Sequence, residues 1–246
     1  MIQIEQLSKQ FSSTLAVNDL SLHIEKGELF CFLGPNGAGK TTTIKMMVGL
    51  MTPSSGTITM GGYDIEKEAQ QAKAIIGYVP DAAFLYQHLT GLELMTMVGQ
   101  LYSLDNASIQ REQEQLSERL FMNDWLGDRI SGYSQGMKQR LAFASAFLHK
   151  PEILVIDEPM VGLDPKTARI IKDMLKEWSQ AGNTVFISTH NLHVAEELSD
   201  RIAIINRGKL LGVGTVESFR SVSGEKENLE ERFLRIVEEE EQTNGR

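Results

Sequence analysis

The sequence predicts an α/β fold on a mainly parallel sheet, with a helical insertion between its two halves. Three observations carry that reading. Short apolar runs recur at 29–33, 75–79, 153–156, 184–188 and 202–205, and continuous runs of this kind suit strands buried on both faces. Helix-like stretches separate the last three runs, the alternation of a parallel sheet. From about 92 to 150 the pattern is helical and contains no strand-like run.

The 246 residues allow one large domain or one domain with an insertion. The apolar fraction is 41% and the charged fraction 23%, which is ordinary for a folded chain. The net charge of −9 argues against a nucleic-acid protein held by a broad basic field, and against a polybasic grip on lipid. Residues 224–246 hold eight Glu against four Lys or Arg, so −4 of that charge sits in a short tail. The tail reads first as a solvated face. A single cysteine, Cys31, excludes an internal disulfide and reads as a small buried hydrophobe. No basic segment followed by an apolar one opens the chain, so no signal peptide is expected. No run approaches ~18 uninterrupted apolar residues, so no membrane insertion is expected and a cytoplasmic protein is.

The elements follow in order. Ile2, Ile4 and Leu7 open a β region, and residues 20–24 alternate apolar and polar. Gly27 punctuates, and Leu29–Leu33 follows as a buried strand. Residues 40–50 read as a helix, ended by a turn cluster at 52–56. In the helical middle, Met137, Leu141, Ala144 and Leu148 share one face. From Asn228 the tail is helical by pattern, with Leu229, Phe233, Ile236 and Val237 opposite glutamates. Neither an internal repeat nor a low-complexity linker is evident.

Gly34, Pro35, Asn36, Gly37, Ala38, Gly39, Lys40 and Thr41 match G-x-x-x-x-G-K-[ST]. The glycines let successive backbone N–H groups point into one concavity, an anion nest. The helix that follows adds its positive N-terminal end. Lys40 can reach the β- and γ-phosphates of ATP, the Thr41 hydroxyl can ligate Mg²⁺, and Thr42 can add a phosphate contact. A strand pattern before the loop and a helix pattern after it distinguish it from a chance Gly-rich turn. Binding of an anionic nucleotide by an anionic protein then rests on directed donors rather than on the global field.

Residues 153–159 form an apolar run ending in Asp157, Glu158 and Pro159. Asp157 at the strand end can hold Mg²⁺, and Glu158 can orient or deprotonate an attacking water. Successive strand residues face opposite ways, so the chain must turn at Glu158 for both to serve one site. Alone, this pair is an ordinary charged strand end. Paired with the phosphate loop, it is a catalytic candidate.

Just before it, Tyr133, Ser134, Gln135, Gly136 and Met137 resemble the signature motif of ATP-binding cassette (ABC) proteins, with Ser134 and Gly136 matching its L-S-G-G-Q form. Residues 161–165 resemble that family's D-loop, Ser188-Thr189-His190 its switch-histidine segment, and residues 77–81 its approach to the Q-loop. The resemblance covers about residues 1–215. It implies a P-loop NTPase with a RecA-like core, an N-terminal antiparallel β part and an inserted helical subdomain at about 86–149. It implies one cassette over 1–223, with 224–246 outside the motifs. It further implies that Phe11 stacks on adenine, that Ser134 and Gly136 receive the γ-phosphate, and that Asp164 works at a dimer interface. His190 would sense the γ-phosphate and hold Glu158. Asp81 stands where the family commonly has Gln, and it is assigned that residue's Mg²⁺ role with altered coupling.

The same resemblance implies head-to-tail pairing with a second cassette, identical or not, and a separate membrane-spanning subunit. The helical subdomain and residues around 81–92 would receive that subunit, with Phe84, Leu85 and Tyr86 either contacting it or filling the subdomain core. The signature form is nearer bacterial exporters than importers. The alternative is a soluble ATPase of a non-transport complex, such as iron–sulfur cluster assembly. The tail helix either packs on the core or serves dimer contacts.

Overall fold

A strand with no polar residue has two faces to bury, and the computed structural model shows both covered. It describes residues 1–220 and 229–244. In Leu29–Leu33, Leu29, Cys31 and Leu33 enter one hydrophobic cluster while Phe30 and Phe32 enter another. The strands at 153–157 and 184–189 split the same way, with Leu154, Ile156, Val185 and Ile187 on one side and Ile153, Val155 and Phe186 on the other. The period of two along a strand sorts one apolar run into two cores.

The chain begins with β1 (Ile2–Phe11), β2 (Thr14–Ile24), β3 (Leu29–Leu33), α1 (Lys40–Met47), β4 (Ser55–Met60) and β5 (Tyr63–Asp64). Next come α2 (Ala69–Ala74), β6 (Ile76–Val79), α3 (Gly91–Leu101), α4 (Asn106–Arg119) and α5 (Gln135–Phe147). The rest is β7 (Ile153–Asp157), α6 (Pro165–Gln180), β8 (Thr184–Thr189), α7 (Leu192–Leu198), β9 (Arg201–Asn206), β10 (Lys209–Gly214), α8 (Val216–Arg220) and α9 (Leu229–Asn244). A six-stranded sheet runs β10-β9-β3-β8-β7-β6, parallel except for β10. A four-stranded antiparallel sheet runs β2-β1-β4-β5. One cluster lies between the two sheets and takes in Ile44, Met46 and Met47 of α1. The other, on the opposite face of the six-stranded sheet, joins α3 to α7 to it.

Several expectations shift in detail. The helix from Lys40 stops at Met47, because Val48 caps it and Gly49 turns left-handed at φ 66°. The turn cluster at 52–56 runs directly into β4, which pairs with β1; Gly56 has φ 87°, a bend that the turn residues foreshadow. Strand β10 is half-buried except at exposed Val213, too weakly patterned to read from sequence.

The tail is not a solvated face. Leu229 is fully buried, Phe233 and Ile236 pack against the main core, and the Asn206 amide donates to Glu240 at 3.2 Å. The stretch before this helix, including the proposed boundary at 223/224, lies outside the described residues. Phe84 and Tyr86 are exposed, by 97% and 65%, and so do not fill the subdomain core, while Leu85 packs inward. No helix among the described residues is long and apolar enough to cross a membrane.

Candidate functional site

The phosphate-loop motif lies between the end of β3 and α1, at the carboxyl edge of the parallel sheet, where open α/β sheets place ligands. Its glycines have specific reasons. A Cβ on Gly34 would stand 2.3 Å from the Ile205 carbonyl oxygen. Gly39 has φ 107°, and its Cβ would meet the Ala16 carbonyl at 2.5 Å. Gly37 has open space around it but φ 81°. Two glycines therefore permit close approach and two permit a left-handed turn.

Lys40 is buried, with Nζ donating to the carbonyls of Gly34 at 2.7 Å and Pro35 at 3.1 Å. Burial holds its pKa below the ordinary lysine value, opposed by the charges of Glu158 and Asp157. The Thr41 hydroxyl donates to Asp157 Oδ2 at 2.8 Å. Ser188, paired in register with Asp157 across β7 and β8, donates its hydroxyl to Oδ1. Asp157 is thus held on both oxygens beside Thr41.

Glu158 takes φ 52°, the left-handed turn that its role beside Asp157 requires. Its backbone N–H donates to the Ser188 carbonyl at 3.0 Å, which fixes the turn against β8. Its Oε1 accepts the His190 N–H at 3.1 Å, lies 2.7 Å from His190 Nδ1 and stands 3.8 Å from Lys40 Nζ. Its Oε2 accepts the Thr189 hydroxyl at 3.1 Å. The neutral imidazole that fits carries its proton on Nδ1, leaving Nε2 free on a half-exposed ring.

Lys40, Thr41, Asp157 and Glu158 line a cleft of about 200 Å³ with Ala16, Asn36, Gly37, Gly39, Thr42 and Asp81, while Ser188, Thr189 and His190 hold the two carboxylates from outside its wall. Asp81 has its carboxyl pushed up, first by burial and then by the charges of Asp157 and Glu158. Tyr78 is pushed up to about 12 by burial and by Asp157 and Asp81. The thiol of Cys31 is fully buried and raised by burial, consistent with a small hydrophobe.

Phe11, Ser134, Gly136 and Asp164 do not line this cleft. Phe11 is 43% exposed at the β1–β2 hairpin, with Lys9 Nζ 5.3 Å from its ring centre. Ser134 caps α5: its hydroxyl oxygen accepts the Met137 N–H at 3.3 Å, and Met137 Sδ accepts the Ser134 N–H at 3.4 Å. Its hydroxyl proton remains to give. Asp164 caps α6, accepting Thr167 Oγ1 at 2.6 Å and the N–H groups of Lys166 and Thr167; these bonds hold its carboxyl below the usual range. A Cβ on Gly136 would lie 3.2 Å from the Gly162 carbonyl, so the signature and D-loop segments touch within one chain.

Residues 17–161 match the family described as ABC transporter. The chain is 40% identical over 215 residues to the linearmycin resistance ATP-binding protein LnrL of Bacillus subtilis, covering 87% of this chain and 69% of that protein.

The chain belongs to the ABC transporter family.

It is 34% identical over 214 residues to the Nod factor export ATP-binding protein I of Cupriavidus pinatubonensis, across 87% of this chain and 66% of that protein. A solved ATP-binding subunit of an ABC transporter matches with TM-score 0.91 at 29% identity, over 96% of this chain and 99% of that one. The fold is therefore that of the ABC cassettes, and the protein is an ATP-binding ATPase of that family.

Departures from the family signature have local reasons. Tyr133, in place of Leu, donates its hydroxyl to the Trp125 carbonyl at 2.9 Å and accepts the Gly91 N–H at 3.2 Å, tying the signature to the start of α3. Gln135, in place of Gly, lays its side chain on Gly162. Ser188 and Thr189, quoted only as part of the switch-histidine segment, and Ala16 belong to the site without roles having been assigned to them. Only the hydroxyl pair before His190, at the end of an apolar strand, hints at the first two.

Proposed function

We propose that this chain powers an ABC exporter. It binds ATP in the cleft at Lys40, pairs head to tail with a second cassette that offers Ser134 and Gly136, and hydrolyses the nucleotide. The movement passes to a separate membrane-spanning subunit at the cytoplasmic face of the membrane. The single observation that carries the catalytic part is the Glu158 carboxylate, held by Thr189 and His190 beside Lys40.

The cleft geometry supports the roles of the residues in it, and the family resemblance supports those of Asp164 and Phe11. Backbone N–H groups of 36–41 and Lys40 take the phosphates. Glu158 orients the attacking water or takes its proton, and His190 keeps Glu158 aimed. Asp164 and Phe11 serve the cassette interface and the adenine. Thr41 and Asp157 are hard oxygen donors 2.8 Å apart in the cleft, a set that fits Mg²⁺, with Asp81 on the same wall. When bound, that ion would offset phosphate charge.

The names of the relatives, one a resistance protein and one an export protein, support transport over a soluble iron–sulfur assembly role. The exposed Phe84 and Tyr86 supply apolar surface to a partner beside Asp81. Glu158→Gln should abolish turnover and accumulate an ATP-bound dimer on size-exclusion chromatography. If no dimer forms at saturating ATP, the catalytic assignment fails. Purification from mild detergent should recover a subunit with several apolar spans of ~20 residues; recovery of a soluble complex instead would favour the alternative.

A further inference from the structure

Gln139 lies on α5, one turn below Ser134 and Gly136. Its side chain is completely buried, and neither its amide nitrogen nor its amide oxygen has a hydrogen-bond partner. A primary amide shut away from water with all its valences unused is an unfinished interaction.

Its place along the helix indicates what would finish it. The carbonyl of Ala146 stands 2.5 Å from where a Cβ on Gly77 would be, so α5 packs its 139/142/146 face on β6. Helix α5 leads into β7, which is parallel to β6, so α5 runs back against both strands. Seven residues from Ala146 to Gln139 rise roughly 10 Å along the helix. The same climb takes about three residues of strand, from Gly77 to Pro80. Gln139 therefore sits level with Pro80 and Asp81, on the sheet-facing side. From Pro80 to Tyr86 the backbone joins neither helix nor strand, so its polar groups are not committed to a ladder.

We propose that Gln139 is a positioning residue for ATP hydrolysis, whose buried amide bonds the 80–83 segment in the nucleotide-loaded cassette and so ties the signature helix to Asp81. The link runs from the γ-phosphate contacts of one half-site to the carboxylate wall of the other, through a single helix turn. It rests on the ATPase reading above.

The test is Gln139→Met, which keeps length and removes the hydrogen bonds, in the full-length chain. Steady-state ATPase, equilibrium ATP binding and thermal melting are measured together, with Asp81→Ala and the double variant. Gln139→Met should melt at or above the wild-type temperature, bind ATP within about twofold, and lose at least tenfold in kcat. In the double variant the loss should not exceed that of the more damaging single change. Unchanged kcat, or losses that multiply in the double variant, overturns the proposal. A wild-type protein that hydrolyses no ATP would instead refute the underlying reading, which separates the two failures. Wild-type kcat in Gln139→Leu would likewise overturn the hydrogen-bonding role.

Discussion

His190 Nδ1 lies 2.7 Å from Glu158 Oε1, and the same oxygen accepts the His190 backbone N–H at 3.1 Å. With Thr189 on the other oxygen, three donors fix one carboxylate whose own backbone is left-handed at φ 52°. A non-glycine residue held there stores roughly 1 kcal/mol or more of strain, retained because the β7–β8 pairing over-determines it. The carboxylate proposed to activate water is thus held in place by the protein's own donors.

Removing the imidazole should leave Glu158 less firmly aimed. His190→Ala is expected to lower the ATPase kcat by about 10²-fold or more, within the span of one general acid–base partner. ATP affinity, measured by equilibrium binding, should change little, since Lys40 and the loop N–H groups are untouched. Equal kcat in the two proteins would show that Thr189 and the backbone suffice.

Gly34 and Gly37 should respond differently to the same added methyl. Gly34→Ala drives a Cβ to 2.3 Å from the Ile205 carbonyl and 2.8 Å from its Cγ2, so β9 or the loop must shift. A loss of about 1–3 kcal/mol in stability is expected, together with loss of ATP binding. Gly37→Ala meets nothing within 4 Å and costs only the left-handed strain, roughly 1 kcal/mol. Denaturant melts and nucleotide binding on the two variants check the order.

His149 stacks on Tyr102 with ring centres 3.5 Å apart, and its Nε2 meets the Ile76 carbonyl at 3.1 Å. Burial pushes its pKa from 6.5 down to about 4. Between those values the unfolded chain binds a proton that the folded chain refuses, so stability falls as pH drops from 6.5 toward 4. The loss is at most about 3 kcal/mol and is absent above pH 6.5. His149→Phe should flatten the difference in urea midpoint between pH 7.5 and pH 5. A variant with the same acid slope as the wild type would refute the assignment.

Leu229 is fully buried where α9 meets the core. Leu229→Ala should cost about 2–5 kcal/mol, the range for emptying such a site. Glu230→Ala on the exposed face should cost little. If both leave the melting temperature unchanged, α9 does not contribute to the fold's stability.

The order of motifs in the chain reveals most of the site, because each motif is local. The phosphate loop needs glycines at fixed offsets from Lys40, and Asp157 and Glu158 must end an apolar strand. Both demands are met within a few residues of sequence. The need for a turn at Glu158 is legible too, since the period of two forbids both carboxylates on one face otherwise. Ser188 and Thr189 were harder to see, because their role comes from β8 lying beside β7 rather than from their own neighbours. Strand β10 escaped because every residue in it but Val213 is half-buried, and Val213 is exposed, which erases any alternation.

By itself, then, the sequence determined the fold class, the phosphate loop and the acidic strand end, since backbone freedom, strand period and charge placement are properties of neighbours along the chain. Only the tertiary structure decided which hydroxyls grip the two carboxylates, that the acidic tail packs its apolar stripe on the core, and that Gln139 is sealed without a hydrogen-bond partner. Those facts depend on segments distant in sequence being pressed together. Burial turns an ordinary amide or a glutamate-rich helix into a group with a definite energetic demand, and local pattern cannot report burial by a remote strand.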